Sequence, residues 1–211
     1  MKSKMKKMKH YKRINLFVIP VTAIAGDTIT QYMYPYISLL LKCITDSATH
    51  FLIASLSWNY VDNVSFNKRI NFVAIIICGS MASAIDIDHF LAVGTTSLEE
   101  ATSLPHRPVL HCTSLFTVVA LLLALLSIRI HSICLLKMSV IIVTATWTHH
   151  WRDGYRHGIW ICPIGSTPPY SYFVYLIGLI VLPIGLQFGL KFITDIVTKS
   201  NVKHVAPIFL I

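Results

Sequence analysis

The sequence predicts an all-α membrane protein, a bundle of about six transmembrane helices joined by short loops. Of its 211 residues, 55% are hydrophobic and only 13% are charged, and the mean hydropathy is +0.65. A soluble domain carries about 25% charged residues, whereas a membrane helix needs about 20 mostly apolar residues. Apolar runs of about that length lie at residues 14–33, 37–57, 70–90, 108–130, 133–150 and 170–194.

The chain begins with a strongly basic segment, which we interpret as a cytoplasmic tail covering residues 1–13. Basic residues directly before an apolar run are a positive-inside signal. A cleaved signal peptide is the rival interpretation, because Ala23-Ile24-Ala25 imitates a cleavage site. A retained helix is favoured, since Asp27 and Gln31 follow almost at once and the apolar run then resumes. We therefore expect one polytopic bundle at residues 14–194 and a C-terminal tail at residues 195–211.

The second apolar run is interrupted by polar residues at positions 42, 46 and 50. We expect it either to lie in the membrane interface or to bury this polar face against neighbouring helices. Asp46 and His50 are four residues apart, as are His149 and Asp153, so each pair shares one face of a helix. Each pair could bind one metal ion, or could be a helix-surface hydrogen bond that neutralises a buried imidazole.

Alternating the helices across the membrane places four basic clusters on the cytoplasmic side. Three of them follow the basic tail: Lys68/Arg69, Arg129/Lys137 and Lys191/Lys199/Lys203. Three arginines depart from this bias: Arg107, Arg152 and Arg156. They fall among the polar motifs of the opposite, extracytoplasmic end. A chemical role there can outweigh the preference of basic residues for the cytoplasmic side.

The third apolar run ends in Asp86-Ile87-Asp88-His89. Residues two apart point to nearly opposite sides of a helix but to the same face of an extended or broken segment. If Asp86 and Asp88 serve one site, the helix must therefore end there. Gly94, followed by Ser97, Glu99 and Glu100, then fits a loop and a possible new helix start.

The next motif is His106-Arg107-Pro108-Val109-Leu110-His111. Proline is accepted in the first turn of a helix, so we expect His106 in the loop and His111 about one turn inside the fourth helix. Arg107 is expected either to face a phosphate or carboxylate group, which its guanidinium can grip bidentately, or to pair with Glu99 or Glu100.

Residues 154–165 are rich in Gly and Pro, which predicts a loop. Trp160 suggests that this loop returns to cover the site or dips into the interface. Five neighbouring aromatic residues are expected to form a membrane-anchoring belt: Trp151, Tyr155, Tyr170, Tyr172 and Tyr175.

The five cysteines form no Cys-x-x-Cys pair and do not resemble a disulfide framework. We expect Cys43, Cys78 and Cys134 to behave as small hydrophobic residues. Cys112 and Cys162 lie near the histidines, and their state is left open.

Four motifs closely resemble the animal transmembrane protein 267 family: Thr45–His50, Ser83–Phe90, Leu104–Cys112 and Trp147–Pro163. The resemblance covers most of the chain between about residues 20 and 180. It implies a multi-pass membrane protein and no particular reaction.

The order of the motifs resembles, more distantly, the bacterial YdjM/YbcI group of inner-membrane proteins, described as metal-dependent hydrolases. The group's pattern is Asp-x-Asp-His, then His-Arg-x-x-Thr-His-Ser, then His-x-x-x-Asp. Leu110 and Cys112 replace the Thr and Ser of the second motif, which weakens the hydroxyl support of the adjacent histidine. The resemblance implies a zinc, manganese or iron ion bound by these residues, with His50 as an upstream addition: Asp86, Asp88, His106, His111, His149 and Asp153.

The resemblance implies a metal-dependent hydrolase, and the position of the motifs at the membrane boundary suggests a lipid or phosphate-type ester as the substrate. Asp86 or Asp88 is the expected general base, and Arg107 the expected anion-stabilising residue. The bilayer and a lipid or lipid-linked substrate are the expected partners. Nucleic acid is not, because much of the net charge of +9 lies in the N-terminal tail.

The alternative is a non-enzymatic ion or proton pathway, or a scaffold, that uses the same residues. A pathway requires polar residues throughout the bilayer. The apolar runs 121–126 and 140–145 instead predict a closed cytoplasmic half.

Overall fold

The computed structural model describes residues 2–33, 36–65 and 72–205, with side chains for residues 14–33, 36–62 and 72–198. This part of the chain is almost entirely helical, as the composition predicts. Its helices are α1 (Lys2–Asp27), α2 (Leu39–Ser65), α3 (Phe72–Ala84), α4 (Ile87–Val93), α5 (Leu98–Thr102), α6 (Thr113–Arg129), α7 (Ile133–His157) and α8 (Tyr172–Val205). A π-helical segment, Thr28–Tyr32, extends α1, and a 3-10 turn, Val109–His111, precedes α6. The strands β1 (Trp160–Ile161) and β2 (Gly165–Ser166) pair in an antiparallel hairpin.

Five segments of the described chain are long and apolar enough to cross a membrane: Ile14–Tyr32, Leu39–Asp62, Phe72–Val93, Ile133–His157 and Tyr172–Thr198. The shorter apolar helix Thr113–Arg129 lies among them. Large apolar side chains cover the outside of the bundle, and Phe17 and Phe188 are 72% and 68% exposed. Such a surface suits hydrocarbon rather than water. The predicted all-α membrane bundle of about six helices is confirmed.

Small residues let the helices approach closely, as is usual where helices pack in membranes. A side chain at Gly79 on α3 would collide with Phe51 and Ser55 on α2. The buried core that joins α2, α3, α7 and α8 is apolar: Ala54, Trp58, Val61, Ala74, Cys78, Ala82, Leu136, Val140, Ile141, Ala145 and Leu190.

Helix α2 is an integral member of the bundle and does not lie in the interface. It contacts α1, α3, α7 and α8, and His50 is only 1% exposed. Of the two alternatives for this run, burial of the polar face is therefore correct. Because an unpartnered buried charge is costly, α2 must bring its polar residues against polar groups on other helices.

The two ends of the bundle have different polar contents. At one end, Lys137 Nζ lies 3.7 Å from Asp62 Oδ1 and joins the start of α7 to the last turns of α2. The other end collects the Asp and His motifs. Several predicted cytoplasmic side chains lie outside the described residues. They are those of the basic N-terminal tail and those of Lys68, Arg69, Lys199 and Lys203.

The third run is broken between α3 and α4, as the sequence predicted on the condition that Asp86 and Asp88 serve one site. Helix α3 ends at Ala84, and Asp86 is the N-cap of the short helix α4. Gly94 ends α4 in the left-handed conformation (φ 71°) that glycine readily adopts. Ser97 is the N-cap of α5, and its Oγ accepts a hydrogen bond from Glu100 N.

The predicted start of the fourth helix at residue 108 is wrong. Pro108 and Cys112 are both extended, so the intervening residues form a single 3-10 turn and α6 begins at Thr113. His111 therefore lies just before the helix rather than one turn inside it. Helix α7 also continues to His157, past the predicted end at residue 150.

The loop after α7 folds back over the start of α6. Its strand β1 forms a bridge from Trp160 to Cys112, and Cys112 forms a disulfide with Cys162 across a Cα–Cα distance of 5.8 Å. This pair corrects the expectation that the cysteines form no disulfide framework. Cys43, Cys78 and Cys134 are free.

The predicted membrane-facing aromatic belt is wrong for Tyr175, which is fully buried. Tyr155 stacks on Tyr175 with ring centroids 4.7 Å apart, and Trp151 donates a hydrogen bond to the Tyr175 carbonyl. Tyr170 stacks on Trp151. These rings join α7 to α8 inside the bundle and support the polar end from one side.

Candidate metal centre

His111 occupies the middle of the polar end, between the break after α3 and the last turns of α7. Its Nε2 lies 3.5 Å from Asp86 Oδ1, 3.6 Å from Asp153 Oδ2 and 3.4 Å from His149 Nε2. His149 Nε2 in turn lies 3.5 Å from Asp86 Oδ1 and 3.4 Å from Asp153 Oδ2. We call Asp86, His111, His149 and Asp153 the four-residue centre.

These distances have the dimensions of a metal coordination shell. Bonds of about 2.1 Å from zinc to nitrogen or oxygen place tetrahedral ligands about 3.4 Å apart. Five of the six ligand pairs of the four-residue centre lie between 3.4 and 3.6 Å apart. A direct hydrogen bond is shorter, about 2.7–3.2 Å. The same distances fall within the range of ion pairs, and together they give the four ligand atoms the spacing of ligands around one ion.

Asp88 lies on the opposite side of the His111 ring from the four-residue centre. Its Oδ1 is 3.3 Å from His111 Nδ1, and its Oδ2 accepts a hydrogen bond of 2.7 Å from Leu110 N. A carboxylate that accepts Nδ1–H leaves Nε2 free to face a cation and fixes the ring orientation. Leu110 has no side-chain hydroxyl that could hold Asp88 in place. Its backbone N–H does so instead.

The pKa of His111 reflects the carboxylates that surround it. Burial by itself lowers the pKa of His111, but the carboxylates of Asp153, Asp86 and Asp88 outweigh burial and raise it to about 11. Without a cation, His111 therefore holds a proton and is itself a positive charge in the centre.

His50 extends the centre on its α2 side. Its Nε2 lies 3.5 Å from Asp153 Oδ1 and 3.7 Å from Asp46 Oδ2. Its ring stacks on that of His149 with centroids 3.9 Å apart and an interplanar angle of 23°. The two pairs with four-residue spacing, one on α2 and one on α7, thus meet in a single cluster.

Two arginines neutralise part of the acidic charge. Arg152 is fully buried; its Nε and Nη2 donate to Asp27 Oδ1 at 3.1 and 2.8 Å, and its Nη1 lies 2.8 Å from Asp46 Oδ1. Arg156 Nη2 donates to Asp153 Oδ1 at 3.0 Å. These partners explain why both arginines depart from the positive-inside bias. The cluster nevertheless holds more carboxylates than guanidinium groups: Asp27, Asp46, Asp86, Asp88 and Asp153 against Arg152 and Arg156.

A cavity of about 810 Å³ opens beside the four-residue centre. Asp86, His111 and Asp153 form part of its wall, whereas Asp88 is not among the described residues that line it. The wall also contains basic, acidic and apolar side chains, among them Lys42, Arg107, Arg156, His106, His157 and Asp46 together with Phe90, Leu98, Ala101, Leu104 and Pro105.

Arg107 and His106 take different places in this cavity. Arg107 Nη1 donates to the Gly158 carbonyl at 2.9 Å, and within the described residues it forms no ion pair with Glu99 or Glu100. Burial lowers the pKa of Arg107, and nearby Asp153 opposes that shift. His106 is exposed and belongs to no metal-sized cluster of described residues.

The structure therefore brings five of the seven predicted ligands into one cluster, places Asp88 behind His111 and leaves His106 at the cavity wall. Sequence reasoning missed the pairing of Asp27 with Arg152, because these residues are far apart in the chain. The signal available was the presence of Arg152 on the side that basic residues usually avoid.

A helical bundle with a buried His and Asp cluster at one end defines a multi-pass membrane protein with a candidate metal centre. The chain is 38% identical to transmembrane protein 267 of Bos taurus over 174 residues, which cover 79% of this chain and 77% of that protein. It is 39% identical to the Danio rerio protein over 172 residues, 79% and 74% of the two chains. The chain therefore belongs to the transmembrane protein 267 family.

The Xenopus laevis transmembrane protein 267 is 44% identical over 148 residues, and the match spans 68% of this chain and 66% of the Xenopus protein. No protein-family model matches the chain. No solved structure matches it either.

Proposed function

We propose that the protein binds a divalent metal ion, zinc, manganese or iron, in the four-residue centre. The observation that carries this proposal is the spacing of 3.4 to 3.6 Å among Asp86, His111, His149 and Asp153. Two imidazoles and two carboxylates are a ligand set that suits these metals. The support of His111 by Asp88 and the excess of carboxylates over guanidinium groups both favour a bound cation.

We infer further that the centre supports hydrolysis of a lipid or phosphate-type ester. The chemistry supplied by a divalent cation there is polarisation of an ester oxygen and activation of water near neutral pH. Arg107, on the cavity wall, can hold an anionic group in a bidentate grip. The apolar part of the wall suits the hydrocarbon of a lipid.

The two predicted base residues differ in their access to this cavity. The Asp86 side chain is 29% exposed and lines the cavity, so it can accept a proton from a water on the substrate side. Asp88 is 5% exposed, and its Oδ2 is committed to Leu110 N. We therefore assign proton transfer to Asp86 and assign to Asp88 the positioning of His111.

The alternative function is an ion or proton pathway. Helices α2, α3, α7 and α8 are joined by an apolar core that includes Trp58, Leu136 and Leu190, and this core closes the bundle beyond the polar end. A polar pathway through the bilayer would need ionisable or hydroxyl groups at these positions. This observation favours a site that opens at one end.

We propose that the centre faces the lumen or the outside and that the N-terminus is cytoplasmic. The basic tail supports this orientation through the positive-inside rule. The Cys112–Cys162 disulfide at the same end supports it independently, because disulfides persist in oxidising compartments. A glycosylation reporter inserted between residues 94 and 103 should be modified. Modification of a reporter at the N-terminus instead would reverse the orientation.

A hydrolase assay tests the reaction. Full-length protein without a His tag is purified in mild detergent, loaded with zinc or manganese, and offered phospholipids and lipid phosphates. We expect turnover that a chelator removes, that added metal restores and that Asp86→Asn abolishes, whereas Glu99→Gln, on an exposed turn of α5, retains it. Absence of turnover in metal-loaded protein across both substrate classes would overturn the proposed reaction and leave the metal site standing.

A further inference from the structure

We infer that the centre binds two divalent cations, the second between His50 and Asp46, with Asp86 and Asp153 shared by both. This inference rests on the proposed function and deepens it. Asp46, His50 and Asp86 form a second cluster whose ligand atoms lie within 4.8 Å of one another, beside the four-residue centre. Asp86 belongs to both clusters.

His50 carries the inference because its imidazole is buried without a hydrogen bond. It is 1% exposed, and neither ring nitrogen has a hydrogen-bond partner in the described structure. Buried polar groups are normally hydrogen-bonded, since leaving them unpaired costs free energy. The distances from Nε2 to Asp153 Oδ1 and Asp46 Oδ2, 3.5 and 3.7 Å, are again those between ligands of a common ion.

Asp153 is placed to bridge the two positions. Its Oδ2 faces His111 and His149 at 3.6 and 3.4 Å, whereas its Oδ1 faces His50 at 3.5 Å. Carboxylates that offer one oxygen to each of two ions can hold cations about 3.5–4 Å apart, as in two-metal hydrolytic sites. The rings of His50 and His149 stack with centroids 3.9 Å apart, so one histidine from each position lies beside the other.

The arginines leave the required oxygens available but set an order of binding. Arg152 Nη1 takes Asp46 Oδ1, so Oδ2 remains directed toward His50. Arg156 Nη2 donates a hydrogen bond to Asp153 Oδ1, the oxygen that would also bind the second ion. We therefore expect the four-residue centre to fill first and the His50 position to bind more weakly.

The charge balance agrees with two cations. Five carboxylates, two guanidinium groups and two divalent cations leave one net positive charge, which suits one anionic ligand such as a phosphate group. With a single cation the five carboxylates and two guanidinium groups leave one net negative charge, so a second cation would strengthen the binding of that ligand.

Manganese(II) titration followed by electron paramagnetic resonance tests the inference on the full-length protein in detergent. We expect two manganese ions per chain in the wild type, and at full loading a loss of the six-line signal of isolated manganese through exchange between the bridged ions. His50→Ala and the more conservative His50→Gln should bind one ion and keep the six-line signal. His131→Asn, at the opposite end of the bundle and at a φ of 54° that asparagine tolerates, should behave like the wild type.

The outcomes separate this inference from the proposed function. One ion per chain in the wild type, with an unchanged isolated signal at saturation, overturns the second position and leaves the one-metal proposal in place. No bound ion in well-folded wild-type protein overturns both.

Discussion

Asp88→Asn should weaken metal binding without removing any ligand of the four-residue centre. Asp88 lies behind His111, with Oδ1 3.3 Å from Nδ1 and Oδ2 bonded to Leu110 N. An asparagine keeps the size of the side chain and one oxygen, but it loses the negative charge that polarises the imidazole. With its oxygen on Leu110 N, the amide turns its NH2 group toward His111 Nδ1, so the ring loses both the acceptor and the charge of the carboxylate.

The expected magnitude follows from this geometry. Loss of a carboxylate that orients a ligand histidine reduces metal affinity about 10–100-fold, which is about 1.4–2.8 kcal/mol of binding free energy. The Leu110 N–H keeps an oxygen acceptor in the variant, so the loss of folding stability should be smaller, about 1 kcal/mol, the difference between a charged and a neutral hydrogen bond.

Competition with a chromogenic zinc chelator measures this affinity on purified protein. Glu100→Gln is the matched control, because Glu100 is an exposed carboxylate on α5 bonded to Thr95 and outside the centre. If folded Asp88→Asn protein binds zinc within twofold of the wild type, Asp88 does not support His111 and the positioning role assigned to it is wrong.

Three further predictions concern the surroundings of the centre. Arg152→Met should lower the free energy of unfolding by about 3–5 kcal/mol, because it leaves buried Asp27 and Asp46 without their shared cation. The stability of Arg152→Lys should lie between that of Arg152→Met and that of the wild type. Equal melting temperatures of the three proteins in detergent would contradict this role. Arg107→Ala should retain metal but bind inorganic phosphate about 10–100-fold more weakly, as expected for the loss of about 1.5–3 kcal/mol of charged hydrogen bonding. Calorimetry of metal-loaded protein measures this phosphate affinity. An unchanged affinity would show that Arg107 is not part of the anion site. After alkylation of free thiols in denaturant, reduction should release two thiols, Cys112 and Cys162, and none in Cys112→Ser; complete alkylation of the unreduced wild type would disprove the disulfide.

The parts of the fold that the sequence predicted well depend on local chemistry. Six apolar runs predicted the bundle because a membrane helix must be apolar over its whole length. The break at Asp86 followed from the two-residue spacing of the carboxylates, and the start of α5 from a polar stretch after Gly94. Each of these features is decided within a few residues of the chain.

The parts it missed depend on contacts between distant residues. Pro108 is compatible with a helix start, but the extended backbone of Cys112, which pairs with Trp160 and Cys162, delays α6 to Thr113. The disulfide joins residues 50 positions apart, a pairing that cysteine spacing does not reveal.

The same limit applies within the candidate site. His106 and His111 are equivalent as ligands in the sequence, yet the 3-10 turn directs only His111 into the cluster. Asp88 matches a ligand pattern, but Leu110 N holds it behind the ring of His111. Neither distinction can be drawn from the spacing of residues alone.

Quantification of bound metal is the most direct test of a metal centre at this end of the bundle. Untagged protein purified without chelator is analysed by mass spectrometry beside His149→Ala and Asp153→Ala, with gel filtration to confirm folding. We expect at least one zinc, manganese or iron ion per wild-type chain and loss of that ion in both variants. Metal-free wild-type protein that stays folded and takes up no ion on resupply would contradict the account, and would leave the cluster a role in helix packing.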